Sequence, residues 1–291
     1  MDKDAIIKAG DIAKKVKVYA RELVKPNMPL LELASKIEEK IIELGGKLAF
    51  PCNLSINEIA AHYTPSHDDT TLATGLLKID FGVHVNGWTA DTAFSVDLEN
   101  NEKNKKLIVA SRVALEMAQN SINSGVKAAS IGKIISKTIT NNGANPIINL
   151  SGHQMNQYEL HCGNSIPNID DDRVTILEPG LYAIEPFATF GSGKVRDGKP
   201  SGIYQLESDK PIRSPIAREV LNYIIEEYKT LPFCSRWLVK KFGTKALFGL
   251  NQLEKNGNLH HFAQLIEVSN NPVSQAENTV ILDDKTIVTT E

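Results

Sequence analysis

Cysteine, long apolar runs and excess charge are all scarce in this sequence. It has only three cysteines, Cys52, Cys162 and Cys234, and no two of them form a Cys-x-x-Cys pair. Neither a disulfide framework nor a thiolate zinc site is indicated, so we expect reduced thiols. No apolar run reaches the roughly 18 residues that span a bilayer, and no secretory signal precedes the first helix. These absences predict a cytoplasmic protein that does not enter a membrane.

The charge balance narrows the classes of partner. The formal net charge is −3 over 291 residues, which argues against bulk attraction to nucleic acids or acidic membranes. Apolar residues make up 42% and charged residues 23% of the chain, the usual mixture of a globular protein. The length allows one large domain or two modest ones. We expect a monomer by default and no direct role in nucleic-acid binding.

Helical patterns recur along the chain at a fixed interval. Apolar spacing predicts four helices, over residues 4–24, 30–44, 104–122 and 131–142. The second and fourth align at an offset of 98 residues, matching Leu33 with Ile131, Ile37 with Ile135, Ile41 with Ile139, and Gly45 with Gly143. Each copy then leads into an extended segment with a histidine, His62 or His153. The pattern favours two related half-domains over a chance recurrence of helical periodicity.

Turn signals locate the strands. Asn86-Gly87 is typical of a two-residue hairpin and separates predicted strands over 78–85 and 88–96. The turn at Pro179-Gly180 precedes a predicted strand over 181–187. Near the C-terminus, we expect 262–268 to pair with 276–282.

The segment between the predicted strands over 181–187 and 262–268 differs in composition from its neighbours. Residues 191–202 are rich in glycine, lysine and aspartate, which is typical of a surface loop. Residues 214–256 are then expected to form two or three helices, including 217–228 and 235–242. We interpret this stretch as a helical insertion in the second half.

The 86–87 hairpin brings two aspartates together. Counting outward from the turn puts Gly82 opposite Asp91, and Asp80, two residues from Gly82, points to the same face. The two carboxylates are then diagonal neighbours at roughly 7–8 Å and repel each other unless a proton or a cation intervenes. At this point two interpretations stay open, a metal site and a polar, solvent-facing hairpin.

The second half offers further donors. His153 and His161 are eight residues apart, so one continuous strand would place both on one face. Taken singly, each fits a structural role better than a catalytic one. Glu185 and Glu277 lie among apolar neighbours, where an unpaired charge is costly.

Together these donors have the composition of a metal site. One histidine and four carboxylates suit hard or borderline divalent ions, and four negative charges largely balance two dications. With such a pair, a bridging water can be deprotonated near neutral pH while the second ion holds the substrate.

Five short segments form a recognisable series. They are, in chain order, Phe50 to Glu58, His62 to Pro65, Lys78 to Gly82, Ser151 through His161, and Ile184 to Phe187. Together they resemble the type II methionine aminopeptidases, over essentially the whole chain. The insertion of roughly 60 residues resembles the feature that separates type II from type I, and the short N-terminus resembles archaeal members.

The resemblance implies an α+β pita-bread fold with a pseudo-twofold axis. It implies a single catalytic domain over 1–291 with a helical insertion at about 195–256. The implied activity is removal of the N-terminal methionine from nascent proteins and peptides, with a small second residue preferred. Two divalent ions (Co, Mn, Fe or Zn) are implied, held by Asp80, Asp91, His153, Glu185 and Glu277.

The resemblance also implies roles for individual residues. Asp91 and Glu277 would bridge the ions, and a bridging water or hydroxide would attack the scissile carbonyl while Glu185 helps to move its proton. His62 and His161 would contact the substrate and steady the developing oxyanion. Candidate walls of the methionine pocket are Phe50 and Leu160, although ordinary core packing explains these two almost as well.

One segment departs from the family pattern, and rival functions remain. Around Glu277, the small Ala276 precedes the glutamate and Asn278 replaces a frequent histidine, which puts the local packing in doubt. Prolidases and Xaa-Pro aminopeptidases use the same five ligand types. A non-catalytic pita-bread adaptor for ribosomes or RNA is the second alternative, but such relatives lose ligands, and here all five are filled.

The insertion is rich in basic residues. Residues 209–245 contain eight lysine or arginine residues against four acidic ones. A ribosome-facing surface and a solvated helical face are both consistent with this charge, and the second is favoured.

Overall fold

A computed structural model describes residues 1–291. The helices are α1 (Lys3–Leu23), α2 (Leu30–Glu43), α3 (Glu102–Ser121), α4 (Ala128–Asn141), α5 (Pro215–Glu227), α6 (Ser235–Phe242) and α7 (Lys245–Lys255). The strands are β1 (Lys47–Ile56), β2 (Ile59–Ala61), β3 (Leu76–Val85), β4 (Trp88–Asp97), β5 (Asn145–Pro146), β6 (Ser151–Asn156), β7 (Glu159–Pro167), β8 (Gly180–Ile184), β9 (Phe187–Thr189), β10 (Val195–Leu206), β11 (Phe233–Cys234), β12 (Leu259–Glu267), β13 (Val273–Gln275), β14 (Asn278–Leu282) and β15 (Ile287–Val288). No helix combines the length and apolar character needed to cross a membrane.

The predicted repeat is present. Both α2 and α4 have 14 residues, and α4 begins and ends 98 residues after α2. The glycines that follow them, Gly45 and Gly143, have φ of 84° and 76°, a left-handed conformation that glycine adopts without steric cost. After these helices the chain enters extended segments: His62 directly follows β2 in the first half, and His153 lies on β6 in the second.

Each half buries its helix pair against its own sheet. In the first half, α1 and α2 pack on the sheet β1-β3-β4 around 19 buried apolar residues. In the second half, α3 and α4 contribute to a core of 20 buried residues with the sheet β15-β14-β8-β6-β7. The aligned positions Ile37 and Ile135 are 0% and 1% exposed. The shared apolar pattern therefore marks the core-facing side of each helix.

Two predictions about the C-terminal third are wrong. The expected loop over 191–202 is largely strand, because Val195 begins β10, which pairs with β12. Register shifts around Pro200 accommodate its missing N–H. The segments 262–268 and 276–282 do not pair with each other: β12 pairs with β10 and β2, while β14 pairs with β8 and β15.

Three helices lie between β10 and β12. The helices expected over 217–228 and 235–242 are present as α5 and α6, and α7 follows them. They surround their own cluster of 11 buried apolar residues. This cluster includes Tyr204 of β10 and Leu259 of β12, which connect the helices to the strands on either side.

Candidate metal centre

Two of the predicted ligands lie on neighbouring strands. Asp80 is on β3 and Asp91 is on β4, and the register pairs Asp91 with Gly82 and Val85 with Trp88. This is the register derived from the 86–87 turn. Both carboxylates therefore project from the same face of the hairpin.

Glu277 reaches the same place from the other half of the chain. It lies between β13 and β14, where its N–H donates to the Ala93 carbonyl at 2.9 Å and its carbonyl accepts from the Ala93 N–H at 3.3 Å. The Thr279 hydroxyl donates to the Asp91 carbonyl at 2.9 Å and accepts from the Asp91 N–H at 2.7 Å. These bonds fix the two halves against each other at the predicted ligands.

His153 and Glu185 complete the group. His153 lies on β6, and its Nε2 is 3.9 Å from both Asp91 Oδ2 and Glu185 Oε1. Ligand atoms of Asp91, His153 and Glu277 lie within 4.8 Å of one another. All five predicted ligands line one cavity of about 200 Å³, which we call the inner chamber. A larger groove of about 1020 Å³, between α2 and the helices α5 and α6, contains none of them.

The surroundings of the inner chamber favour the protonated, neutral form of its four carboxyl groups. Burial raises the pKa of Asp80 to about 6. Burial, reinforced by neighbouring carboxylates, raises the pKa of Asp91, Glu185 and Glu277 well above the usual range. Loss of water and a nearby like charge both favour the neutral acid. A cation among these oxygens would act in the opposite direction.

The residues present fit a divalent cation. The Gln275 amide donates to Asp80 Oδ2 at 3.1 Å and to Glu277 Oε2 at 3.3 Å, but Asp91 Oδ1 is buried without a hydrogen-bond partner. A buried polar atom without a partner is costly. An oxygen-rich set with one imidazole suits hard or borderline divalent ions, which would satisfy this atom and balance the charge.

The two residues that depart from the family pattern, Ala276 and Asn278, are accommodated by their neighbours. Asn278 Oδ1 accepts from Lys17 Nζ at 2.8 Å and from Thr290 Oγ1 at 2.9 Å. Lys17 also donates to the Thr290 carbonyl at 2.7 Å, so this lysine contacts the C-terminal chain instead of a ligand carboxylate. Ala276 is buried in the second-half core. The small residue and the asparagine therefore leave Glu277 in place.

The two further histidines lie beside the chamber. His62 and His161 both line it. The prediction that one continuous strand carries His153 and His161 is wrong, because they lie on β6 and β7, the two arms of a hairpin with a register shift. The turn includes Tyr158 at φ 60°. The hairpin still brings the two rings together, with centroids 4.3 Å apart.

The tautomer of His62 follows from its surroundings. Its Nδ1 lies 3.2 Å from the Ala263 carbonyl, and because a carbonyl oxygen only accepts, Nδ1 carries the hydrogen. Burial lowers the pKa of His62 to about 4, so the ring is neutral at pH 7. Its Nε2 is therefore an acceptor. The residue has φ 63°, a conformation that is costly for a non-glycine residue and is concentrated at functional sites.

The inserted helices hold the loop after His62. Arg236 of α6 donates to Glu38 of α2 through both terminal nitrogens, at 2.7 and 2.9 Å. Its Nε donates to the Pro65 carbonyl at 3.0 Å. Both charged side chains are buried. The insertion therefore helps to position the segment that contains His62.

Apolar side chains form one wall of the chamber. Phe50 and Leu160 line it and are 5% and 1% exposed. They belong to one cluster with Ile203 and, at its edge, Phe262. The Phe262 ring centroid is 5.3 Å from that of His62 and 6.3 Å from that of Phe50. Sequence reasoning assigned neither Ile203 nor Phe262 to this cluster, because the pairing of β10 with β12 was not predicted.

Sequence comparison identifies the class of protein that this site belongs to. Residues 4–220 match metallopeptidase family M24, and the chain belongs to this family. It is 49% identical, over the full length of both chains, to the methionine aminopeptidase of Pyrococcus abyssi. It is 44% identical to the methionine aminopeptidase of Methanocaldococcus jannaschii, covering 97% of this chain and 95% of that one.

Solved structures of low sequence identity share the fold. A thermophilic Arx1 is similar with a TM-score of 0.83 at 16% identity, covering 98% of this chain and 89% of that one. The methionine aminopeptidase of Thermotoga maritima has a TM-score of 0.72 at 19% identity, covering 99% and 96%. At these identities the likeness concerns the fold alone. The predicted α+β pita-bread fold is confirmed.

Proposed function

We propose that this protein is a methionine aminopeptidase that removes the N-terminal methionine from nascent proteins and peptides. The observation that carries the proposal is the convergence of Asp91, His153 and Glu277 within 4.8 Å, with Asp80 and Glu185 in the same chamber. The identity of 49% to a relative of that name supports it. Asp80, Asp91, His153, Glu185 and Glu277 would hold the two divalent ions of this proposal.

The ligand set matches the chemistry that such ions bring. When bound, they supply a water that ionises near neutral pH and polarise the scissile carbonyl. The ligands suit cobalt, manganese, iron and zinc. Because the carboxylates must be ionised to bind, and burial favours their neutral form, loading of the site releases protons.

Glu185 is the proposed proton carrier. Its carboxylate is half-buried in the chamber, 3.9 Å from His153 Nε2. Burial and the neighbouring carboxylates favour its protonated form. Once ionised, a carboxylate of raised proton affinity is suited to take a proton from the attacking water and to return it to the departing amine.

The two other histidines divide the contacts to the peptide. His62 carries its hydrogen on Nδ1, so its Nε2 accepts a hydrogen bond from a substrate N–H and cannot donate to the oxyanion. His161 is the proposed donor to the oxyanion. This division refines the resemblance-based prediction, which gave both histidines both tasks.

The size of the chamber suits one terminal residue. Its volume of about 200 Å³ is below the roughly 300–1,000 Å³ of sites that enclose drug-sized ligands. Phe50 and Leu160, which line the chamber, form the proposed wall against the methionine side chain.

The surface of the inserted helices bears on the predicted contact with ribosomes. Lys240 and Lys241 are exposed, and the Lys240 side chain is 81% exposed with Glu39 at 3.9 Å. This agrees with a solvated helical face. Ribosome docking stays a prediction, and pelleting with ribosomes that is unchanged by charge reversal of both lysines would contradict it.

Metal reconstitution tests the proposed activity. The chelator-treated protein is loaded separately with each of the four ions, and release of the first residue is measured from Met-Gly and Xaa-Pro peptides. We expect turnover of Met-Gly peptides with at least one ion and none of Xaa-Pro peptides. Cleavage confined to Xaa-Pro peptides, or no cleavage with any ion, would contradict the proposal.

A further inference from the structure

A second cavity adjoins the inner chamber. This outer cavity of about 490 Å³ is lined by His62, His161, Gln205, Glu207, His260 and Phe262. Two of these, His62 and His161, line the inner chamber as well. Because His161 is exposed, the junction lies at the protein surface. The other residues that line the outer cavity play no part in the chemistry proposed above.

The walls of the outer cavity are rigidly placed. Gln205 lies on β10, and His260 and Phe262 lie on β12. Glu207 directly follows β10, and its N–H donates to the Asn258 carbonyl at 2.8 Å. The two strands are paired there, with Gln205 opposite His260. The rings of His260 and Phe262 are in edge contact, with centroids 4.7 Å apart. Side chains on paired strands are more precisely positioned than those on loops.

The position of the outer cavity determines which residue of a bound peptide would reach it. This inference rests on the proposed function. With the first residue in the inner chamber, the rest of the peptide must leave past His62 and His161. An extended chain advances roughly 3.3 Å per residue. The second residue then passes the two imidazoles, and the third reaches the outer cavity.

The side chains that line the outer cavity include a negatively charged group but no lysine or arginine. Glu207 is the only carboxylate among its lining residues, and no lysine or arginine lines it. Its side chain is 57% exposed, and its Oε1 is 3.9 Å from His260 Nδ1, beyond hydrogen-bond distance. The carboxylate is therefore free to contact a ligand.

We propose that Glu207 makes the outer cavity a subsite for a cationic side chain at the third residue of the peptide. A lysine or arginine there would meet an exposed carboxylate that accepts no hydrogen bond from His260, and an aspartate or glutamate would be repelled. Solvent screens an exposed pair, so we expect a preference of about fivefold for lysine over glutamate. Glu207 is a specificity determinant here and takes no part in bond cleavage.

Three matched peptides test the subsite. They are Met-Gly-Lys-Gly, Met-Gly-Gln-Gly and Met-Gly-Glu-Gly, each with an amidated C-terminus that removes the terminal charge. The metal-loaded full chain is assayed for kcat/KM at low and high ionic strength. The variants are Glu207→Gln and Glu207→Lys, with Glu219→Gln as the control, since Glu219 is exposed on α5 and does not line the outer cavity.

The ratio of the lysine to the glutamate peptide is the readout. We expect about fivefold at low salt, a smaller ratio at high salt, a ratio near one in Glu207→Gln, an inverted ratio in Glu207→Lys, and no change in Glu219→Gln. Equal cleavage of all three peptides by the unaltered chain, or an unchanged ratio in both Glu207 variants, overturns the inference alone. Failure to cleave even the glutamine peptide overturns the proposed function and the subsite with it.

Discussion

Asp80→Asn is expected to stabilise the chelator-treated protein at neutral pH. Burial raises the pKa of Asp80 from 3.8 to about 6, so the folded protein holds this proton more tightly than the unfolded chain. As pH rises from 3.8 to 6, the unfolded chain ionises first, and the stability of the folded state falls. A shift of about two pKa units corresponds to about 3 kcal/mol above pH 6. Asparagine keeps the shape and still accepts from Gln275, but it carries no charge.

Urea denaturation at about pH 4.5, 6 and 7.5 measures this effect. In the presence of chelator, the Asp80→Asn protein should exceed the unaltered protein by about 3 kcal/mol at pH 7.5 and by about 1 kcal/mol at pH 4.5. Added Mn²⁺ should reverse the order, because the unaltered site binds the ion and is stabilised by it. A variant that is less stable than the unaltered protein at pH 7.5 without metal, or a difference that is constant with pH, would refute the reasoning.

Further substitutions address the ligands, the oxyanion donor and the insertion. Asp91→Ala or Glu277→Ala should abolish turnover and reduce the bound metal to at most one ion per chain by elemental analysis; near-normal rates after reconstitution would count against the bridging role. His161→Ala should keep both ions but lower kcat by about 10²–10³-fold, and an empty site in that variant would contradict its role. Arg236→Leu should lower the free energy of unfolding by about 3–5 kcal/mol, because it leaves the Glu38 carboxylate buried and unpaired; adding Glu38→Leu should recover part of this loss, and a double variant no more stable than the single one would contradict the explanation.

Local signals predicted those parts of the fold that depend on neighbours along the chain. Asn86-Gly87 fixes the β3–β4 register by itself, because the turn permits only one pairing, and this placed Asp80 and Asp91 on one face. The helices α2 and α4 were located by apolar periodicity and by the glycines Gly45 and Gly143. Each of these signals lies within a few residues of the feature that it determines.

The pairing of strands that are distant along the chain could not be predicted from local signals. Strand β10 contains Gly198, Pro200 and several charged residues, and it is a strand because β12 pairs with it from more than 50 residues away. Without that strand, Glu207 could not be assigned to the outer cavity. Gln275 was also missed as a donor, since its amide contacts Asp80 only after the two halves of the chain meet.

Anomalous diffraction from crystals of the Mn²⁺-loaded protein tests the central claim most directly. The account predicts two peaks in the inner chamber, roughly 3.5–4 Å apart, with carboxylate oxygens of Asp91 and Glu277 within coordination distance of both. A chamber without a peak in protein that binds Mn²⁺, or ions bound only elsewhere on the surface, would contradict it.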